Sequence, residues 1–409
     1  MAPRSAFDQN LCNVPLDRGQ LTVVKTPAQA ASRRRRIMVV AGEASGDLHG
    51  ADLAEQIRAR DPGVELFGIA GERMRAAGVR ALVNIEDIAA MGATELISTL
   101  WRTLAALRAL RATVRENPPD LAVLIDYAEF NMMLARSVRR ARVPVLYYIT
   151  PQVWAWRRGR IRKLAARTDQ MAVVFPFEAA LFERQGGRAS FVGHPLLDRV
   201  APAQGRAETL SRHALAPDSR LLALLPGSRR SEVRYLMRPM AEAARILAQT
   251  HGLTPIIALA PTLSAADLYA AAGPGGLDGL RIISGDTYSI IATSELALVA
   301  SGTATLETAL LGCPMVIAYK MSVFTYGLGR LLVTGVDFIG MPNILAERGI
   351  VPELIQWEVT PTNLVRAAEP MLAEPTRSET AAALRSVRHS LGVSGAAARV
   401  AAIALGMIA

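Results

Sequence analysis

The sequence predicts an α/β protein with two doubly wound parallel sheets that face a cleft and are joined by one linker. From Ile37 onward, short apolar runs alternate with amphipathic helical stretches, a pattern typical of parallel strands buried on both faces. The alternation stops over 200–220, where Ala, Pro, Gln, Ser and charged residues dominate, and it restarts at Leu221. The chain has 409 residues, 51% of them hydrophobic, so it is long enough to bury two cores.

The apolar runs and the helical spacing between them define the expected elements. Strands are expected at 37–41, 64–69, 121–125, 145–149 and 171–174, and again at 221–225, 255–259, 280–283, 296–299 and 315–318. Helices are expected near 47–60, 94–116, 128–142, 158–167, 177–186, 207–214, 230–250, 263–272, 287–293, 303–311, 322–332 and within the Ala-rich stretch 361–405.

These elements divide the chain into five parts. Residues 1–36 are expected to form a disordered basic tail, 37–199 an N-terminal domain, 200–220 a linker and 221–360 a C-terminal domain. The helices of 361–409 are expected to pack back on the N-terminal domain or on a partner chain.

Charge and composition limit the classes of partner and compartment. The 46 Lys and Arg residues exceed the 36 Asp and Glu residues by ten, and Arg supplies most of the excess. Because Arg binds phosphate in a bidentate way, the charge indicates nucleic acid, an anionic membrane or a phosphorylated substrate, unless it only reflects an Arg-rich genome. Cys12 and Cys313 are too few for a disulfide framework or a multi-cysteine zinc site.

The sequence shows no transmembrane segment and no secretion signal. The longest nearly uncharged run, 246–266, is interrupted by Pro255 and Pro261, and a span needs about 20 apolar residues. The basic run 33–36 precedes an apolar run that is too short for a signal core. We therefore expect a cytoplasmic protein.

The turn after the first predicted strand reads Ala41-Gly42-Glu43-Ala44-Ser45-Gly46-Asp47. Its glycines allow a tight turn, and Ser45 or Asp47 can cap the helix that follows. The motif is neither G-x-G-x-x-G nor a P-loop, so it does not indicate a dinucleotide or triphosphate site. It is either an ordinary strand-to-helix turn or a place where Glu43 and Asp47 line the cleft.

Asp126 follows the third predicted strand, where a parallel strand delivers its last side chain to the cleft. A carboxylate in that position can act as a general base if burial and neighbouring charges adjust its pKa. The alternative is that Asp126 only caps the next helix. Glu129, three residues later, either caps or supports that helix.

Two segments combine arginine with tryptophan. Trp154 and Trp156 stand beside the four basic residues of 157–162, and such a segment can bind phosphate or lie at a membrane interface. The helix over 95–115 carries an apolar stripe, arginines on a shared face and Trp101, which suits a membrane-surface helix. The alternatives are a core tryptophan and an ordinary surface helix.

Three turns in the second half suit a nucleoside diphosphate. Pro226-Gly227-Ser228-Arg229 joins a strand to a helix, so that free amides and an Arg can bind phosphate. In Ser301-Gly302-Thr303, which again precedes a helix, the amides can face phosphate while Glu307, one turn later, accepts the ribose hydroxyls. Asn343, in Met341-Pro342-Asn343, adds a further polar side chain. For each turn the alternative is a plain helix cap.

Together these motifs resemble the lipid-A-disaccharide synthase family of inverting glycosyltransferases, which have the two-lobed GT-B fold. The matching pieces occur in the family's order: Ala41–Asp47, Ile125-Asp126, Pro151-Gln152-Val153-Trp154-Ala155-Trp156, Val192-Gly193-His194-Pro195, Leu225–Arg229, Ala300–Ala304, Leu306-Glu307 and Met341–Ala346.

The chain departs from the family's pattern in two places. The family often has Ile-Asp-x-Pro-Asp-Phe-Asn, where this chain has Ile125-Asp126-Tyr127-Ala128-Glu129-Phe130-Asn131. It also often has Ser-Pro-Ser, where this chain has Thr150-Pro151-Gln152. Asp126 is kept, but the local turn and the role of Glu129 are put in question.

The resemblance implies a reaction and its substrates. UDP-2,3-diacylglucosamine donates its sugar to 2,3-diacylglucosamine 1-phosphate (lipid X), giving the β-1,6-linked lipid A disaccharide 1-phosphate and UDP, with neither cofactor nor metal. Because both substrates are acylated, a peripheral contact with the anionic cytoplasmic face of the inner membrane is expected. The resemblance leaves open whether the chain forms a homodimer.

The resemblance also implies the role of each site residue. Asp126 takes the proton of the acceptor's 6-hydroxyl, while Arg229 and the Gly227–Ser228 turn stabilise the departing diphosphate. Glu307 holds the ribose, beside Asn343 and the Ser301–Thr303 turn. On this view 37–199 is the acceptor domain and 221–360 binds the UDP-sugar. The residues expected to line the acceptor side are Glu43, Ser45, Asp47, Gln152 and His194.

Two other interpretations are weighed against this one. Another GT-B enzyme, either a lipid-linked GlcNAc transferase or a UDP-GlcNAc 2-epimerase, is disfavoured by the Trp-Ala-Trp and Met-Pro-Asn segments. A nucleic-acid-binding protein is suggested by the basic pI, near 10.2. However, its arginines are scattered and aromatic residues make up only 5% of the chain, so we expect no nucleic-acid partner.

Overall fold

The computed structural model describes residues 34–88, 96–151, 158–322, 326 and 337–409. Within these ranges it contains two parallel sheets flanked by helices, which confirms the predicted fold class. The expected helix at 322–332 lies almost entirely outside the described residues, as does the tail up to residue 33. No helix within the described ranges is long and apolar enough to cross a membrane.

The first sheet contains seven strands. Their bounds are β1 Arg36–Val40, β2 Glu65–Ala70, β3 Arg80–Asn84, β4 Leu121–Ile125, β5 Val145–Tyr148, β6 Gln170–Val173 and β7 Ala189–Phe191. The order β3-β2-β1-β4-β5-β6-β7 places the reversal of strand order between β1 and β4. Ile37 lies opposite Leu121 and Val40 opposite Leu124, so the turns after β1 and β4 leave the sheet at the same edge. Ligands of doubly wound sheets bind at this position.

Helices connect these strands. Their bounds are α1 Ala44–Arg60, α2 Glu72–Ala76, α3 Ile85–Ile88, α4 Leu96–Glu116, α5 Ala128–Arg140, α6 Ile161–Ala165 and α7 Pro176–Glu183. The sequence did not predict β3 and β7 because their residues are only partly buried and form no continuous apolar run.

The second sheet contains six strands. Their bounds are β8 Arg220–Leu225, β9 Leu253–Leu259, β10 Arg281–Ser284, β11 Ser294–Ala300, β12 Met315–Tyr319 and β13 Glu353–Ile355. The order β10-β9-β8-β11-β12-β13 repeats the arrangement of the first sheet, with the reversal between β8 and β11. Leu225 lies opposite Val299, so the turns after β8 and β11 also leave the sheet side by side.

The remaining helices flank the second sheet or follow it in sequence. Their bounds are α8 Arg206–Arg212, α9 Arg230–His251, α10 Ala265–Ala272, α11 Thr287–Thr293, α12 Thr303–Leu310, α13 Met341–Ala346, α14 Pro361–Leu372, α15 Thr376–Ser390 and α16 Ala396–Gly406. The buried face of α9 follows helical spacing and packs on the sheet through Val233, Leu236, Met237, Met240, Ala244 and Leu247.

The chain forms two compact units. The first contains the residues up to Pro151 together with Arg167–Gln170 and Val400–Ala409, and the second contains Gln152–Ala166 and Met171–Arg399. In the first unit, β4 is completely buried and forms the centre of the core. In the second, α14 packs against α9 and the sheet, and α15 packs against α12 and α13.

The structure corrects the expected role of Asp47. The side chain is buried and does not cap α1, whose N-cap residue is Glu43. Instead its carboxylate accepts hydrogen bonds from the amides of Gly71, Arg73 and Met74, at 2.8, 3.0 and 3.1 Å. Asp47 therefore holds the start of α2, and we assign it a structural role.

We expect Asp47→Asn to destabilise the protein by about 1–3 kcal/mol, because the new amide group turns a donor toward a buried N–H. Urea unfolding followed by circular dichroism measures the change. Glu55→Gln, an exposed carboxylate on the same helix, is the control and should stay within about 0.5 kcal/mol of wild type. Equal midpoints for the two variants would contradict the assigned role.

Candidate active site

Asp126 lies directly after β4, at the edge where strand order reverses. Its side chain is partly buried, and burial raises its pKa from 3.8 to about 6. The nearby negative charge of Glu43 contributes to this rise in pKa, and a hydrogen bond from the Tyr127 amide opposes it. A carboxyl group that ionises just below neutral pH suits a general base. It is not the N-cap of α5, because Tyr127 occupies that position.

The structure brings Glu43 to the same edge as Asp126. The Asp47 carboxylate instead binds the amides at the start of α2. Glu43 and Ser45 are exposed at the start of α1, and Glu43 makes no side-chain capping bond there. Gly42 lies directly against the Tyr127 ring, so a side chain at position 42 would collide with it. The close approach explains why glycine is needed at this point of the turn.

Glu232 holds the turn before α9, which the sequence assigns to diphosphate. Its carboxylate accepts the amides of Ser228 at 2.9 Å and Arg229 at 3.3 Å, so these amides are not the open phosphate site that the sequence suggests. The Thr262 hydroxyl donates to the Ser228 carbonyl at 2.5 Å and holds the other side of the turn. The Arg229 side chain is 76% exposed and meets Glu232 only at 3.5 Å. Its guanidinium is therefore the exposed charged group of this turn.

The turn after β11 presents backbone amides. Gly302 is the N-cap residue of α12, and the helix has no side-chain cap. Gly302 and Thr303 are exposed, while the Ser301 amide bonds to the Ala318 carbonyl. A helix start of this kind attracts an anion through its amides and its dipole.

Glu307, one turn into α12, is paired with a tyrosine that the sequence did not reveal. The Tyr288 hydroxyl donates to the Glu307 carboxylate at 2.8 Å. Burial raises the pKa of Glu307, and the hydrogen bond from Tyr288 lowers it. Tyr288 lies on α11, 19 residues earlier, and no local motif marks it. The tyrosine fixes the direction of the Glu307 carboxylate.

Asn343 has a structural role. Its side chain is completely buried, donates to the Val351 carbonyl and to Glu353, and accepts the amides of Ile350 and Val351. Because the amide group is fully used inside the protein, we assign it no ligand contact. Its partner Glu353, which the sequence did not reveal, also accepts the Ile339 and Gly340 amides and holds the start of α13.

The remaining predicted site residues are accounted for as follows. His194 accepts the Leu196 amide through Nδ1 at 3.2 Å and lies against the Phe175 ring, so it caps the short 3₁₀ helix at Pro195–Asp198. Gln152, Trp154 and Trp156 lie outside the described residues. Within the described ranges, no group of three His, Cys, Asp or Glu side chains is arranged to hold a metal ion.

We expect Asp126→Asn to stabilise the protein at pH 8 and to leave its stability unchanged near pH 3.5. A carboxyl pKa that is higher in the folded state than unfolded makes stability fall as the pH rises from about 4 through about 6. The expected gain at pH 8 is on the order of 1–3 kcal/mol. Urea unfolding at both pH values measures it, with Glu55→Gln as control, and an equal gain at both would show that burial of charge is not the cause.

The comparisons with known proteins agree on one family. Residues 37–403 match the family model described as lipid-A-disaccharide synthetase. The chain is 44% identical to the lipid-A-disaccharide synthase of Geobacter metallireducens over 376 residues, which cover 91% of this chain and 97% of that protein. It is 39% identical to the Myxococcus xanthus enzyme of the same name, over 90% of this chain and 96% of that protein.

Solved structures with low identity confirm the GT-B-type fold. The UDP-GlcNAc 2-epimerase of Neisseria meningitidis bound to UDP-GlcNAc superposes with a TM-score of 0.62 at 12% identity, covering 91% of this chain and all of that one. The calicheamicin glycosyltransferase CalG4 gives a TM-score of 0.58 at 17% identity, covering 92% and 99%. The family model and the close relatives together establish that the chain belongs to the lipid-A-disaccharide synthase family, whose members are glycosyltransferases acting on lipid A precursors.

Proposed function

We propose that the chain forms the lipid A disaccharide by inverting, metal-independent transfer, with Asp126 as the general base. The donor is UDP-2,3-diacylglucosamine and the acceptor is 2,3-diacylglucosamine 1-phosphate. The observation that carries the proposal is a partly buried carboxyl group, with a pKa of about 6, at the edge where strand order reverses. At pH 7–8 this group is mostly ionised and ready to accept a proton.

The proposed step breaks one bond and forms one. The Asp126 carboxylate takes the proton of the acceptor's 6-hydroxyl as that oxygen bonds to the anomeric carbon of the donor. The bond from that carbon to the UDP oxygen breaks on the opposite face, which inverts the configuration. The bonding electrons leave with UDP, and the proton stays on Asp126 until it is lost to water.

The second sheet supplies groups that suit the leaving diphosphate. The Arg229 guanidinium and the open start of α12 follow the adjacent strands β8 and β11, so both can stabilise charge that develops on the phosphate oxygens. Glu232 keeps the Arg229 turn in place. The Glu307 carboxylate, oriented by Tyr288, accepts the ribose hydroxyls.

We also propose that the start of α4 contacts the anionic membrane that carries both substrates. Leu100 and Trp101 are adjacent on this helix and are 58% and 61% exposed. Exposed Arg102 and Arg108 follow on the same helix, and exposed Met133 adds apolar surface from α5, against which α4 packs. Apolar and basic side chains in this combination bind anionic lipid surfaces peripherally.

A turnover assay tests the chemistry. The purified protein is mixed with both substrates in detergent micelles, with and without EDTA, and UDP and disaccharide are followed by mass spectrometry. We expect equal turnover with EDTA, and a loss of about 10²–10⁴-fold in Asp126→Asn with UDP binding unchanged. Glu129→Gln, an exposed carboxylate in the same turn, is the control.

Three results would each overturn one part of the proposal. Near-normal turnover of Asp126→Asn would remove the proposed base. Loss of turnover in EDTA, restored by Mg²⁺, would remove metal independence. UDP release without disaccharide would show that the acceptor is assigned wrongly.

Vesicle sedimentation tests the membrane contact. Trp101→Glu should lower binding to phosphatidylglycerol-containing vesicles by about tenfold or more, because apolar burial in lipid is replaced by a charge that the surface repels. The matched control is Trp357→Glu, since Trp357 is 65% exposed and lies in the second unit. Equal binding of the two variants would contradict the assignment of the membrane-facing surface.

A further inference from the structure

The turn that carries Asp126 has an unusual backbone. Asp126 and Tyr127 both have a φ of 45°, and neither is glycine. Left-handed backbone is unfavourable for residues with a Cβ, and two in succession persist only where surrounding contacts enforce them. No glycine or proline within Asp126–Asn131 favours this conformation locally. The conformation must therefore be enforced by contacts that the Asp126–Tyr127 backbone makes with other residues.

Two buried side chains supply those contacts. The Tyr147 hydroxyl donates to the Asp126 carbonyl at 2.5 Å. The Asn131 amide donates to the same carbonyl at 2.8 Å and to the Ile125 carbonyl at 3.1 Å. Both side chains are completely buried, so water cannot readily replace them. The Asp126 carbonyl, which has two lone pairs, thus has two protein donors.

Aromatic packing holds the other side of the turn. The Tyr127 ring stacks on Phe130, with the ring centroids 5.1 Å apart, and Gly42 lies directly against the same ring. The Asp126 amide donates to the Tyr148 carbonyl of β5 at 3.1 Å. The backbone of the turn is therefore anchored through both its amide and its carbonyl while the carboxylate is left for chemistry.

We infer that Tyr147 and Asn131 are positioning residues that hold the strained turn and thereby fix the place and burial of the Asp126 carboxylate. This inference rests on the proposed role of Asp126 as the base. Neither residue needs to touch substrate, because both act through the Asp126 carbonyl. If the carbonyl is released, the turn relaxes toward negative φ and the carboxylate becomes more exposed to water.

Tyr147→Phe tests the inference because it removes one hydroxyl and keeps the ring. We expect kcat to fall about 10–100-fold with KM within about twofold of wild type, since positioning affects the reacting geometry more than binding. The acid limb of kcat/KM, near pH 6 in wild type, should shift to lower pH as the carboxylate is hydrated. Thr209→Val is the control, because it removes a buried hydroxyl bonded to a backbone carbonyl far along the chain, and it should leave the limb in place.

A second measurement does not depend on turnover. In the wild-type background Asp126→Asn should raise the urea midpoint at pH 8, because it removes a partly buried charge. In the Tyr147→Phe background that increase should fall by at least half. An unchanged increase together with an unchanged acid limb would overturn the inference and leave Tyr147 a merely structural residue.

The two arms separate the inference from the function on which it rests. Normal turnover of Asp126→Asn would overturn the base assignment, and with it the kinetic arm. A reduced gain at pH 8 in the Tyr147→Phe background would still show that the hydroxyl controls the burial of Asp126. Normal turnover of Asp126→Asn together with a reduced gain in the Tyr147→Phe background would therefore assign the turn a structural role only.

Discussion

Carboxylates that accept backbone amides hold three of the turns that lead into helices beside the two sheets. Asp47 holds the start of α2, Glu232 holds the turn before α9, and Glu353 holds the start of α13. The exposed ends of parallel strands leave amides that need acceptors, and an ionised carboxylate makes the strongest of these bonds. These three acids are therefore part of the scaffold. Glu307 instead accepts a side-chain hydroxyl, and burial raises the pKa of Glu307 and of Asp126.

Features set by local sequence could be predicted, whereas features set by contacts between distant residues could not. The buried strands were predicted correctly because β4 and its neighbours are continuous apolar runs, whereas the partly exposed β3, β7 and β13 give no such signal. In the site, Asp47 and Asp126 look alike in the sequence, since each is an acid shortly after an apolar strand. What separates them is Gly71, 24 residues from Asp47, which only the folded chain brings into contact. The sequence likewise places Asn343 at the ligand, because it does not reveal that partners 7–10 residues away bind its side-chain amide.

The departure from the family's motif after Asp126 has a physical account in the structure. Ala128 is the first residue of α5, a position where proline is also favoured, so the helix start does not require proline. Glu129 is exposed in the first turn of α5, where its negative charge interacts favourably with the helix dipole. The shape of the turn is set instead by Tyr147 and Asn131, which lie on β5 and α5. Neither substitution therefore needs to change the backbone that carries Asp126.

The two sheets handle charge in opposite ways, as the proposed chemistry requires. A base must hold a proton transiently, and Asp126 is partly buried. Its ionised form above about pH 6 therefore lowers the free energy of unfolding. A leaving diphosphate brings its own negative charge, so the second sheet offers an exposed Arg229 and an uncapped helix start instead of a buried cation. In the first sheet the unfavourable features, charge burial and strained backbone, lie in the turn just beyond β4, and in the second sheet the exposed groups follow β8 and β11. Because β4 and β8 are almost completely buried, the core can hold these turns in place without carrying the strain itself.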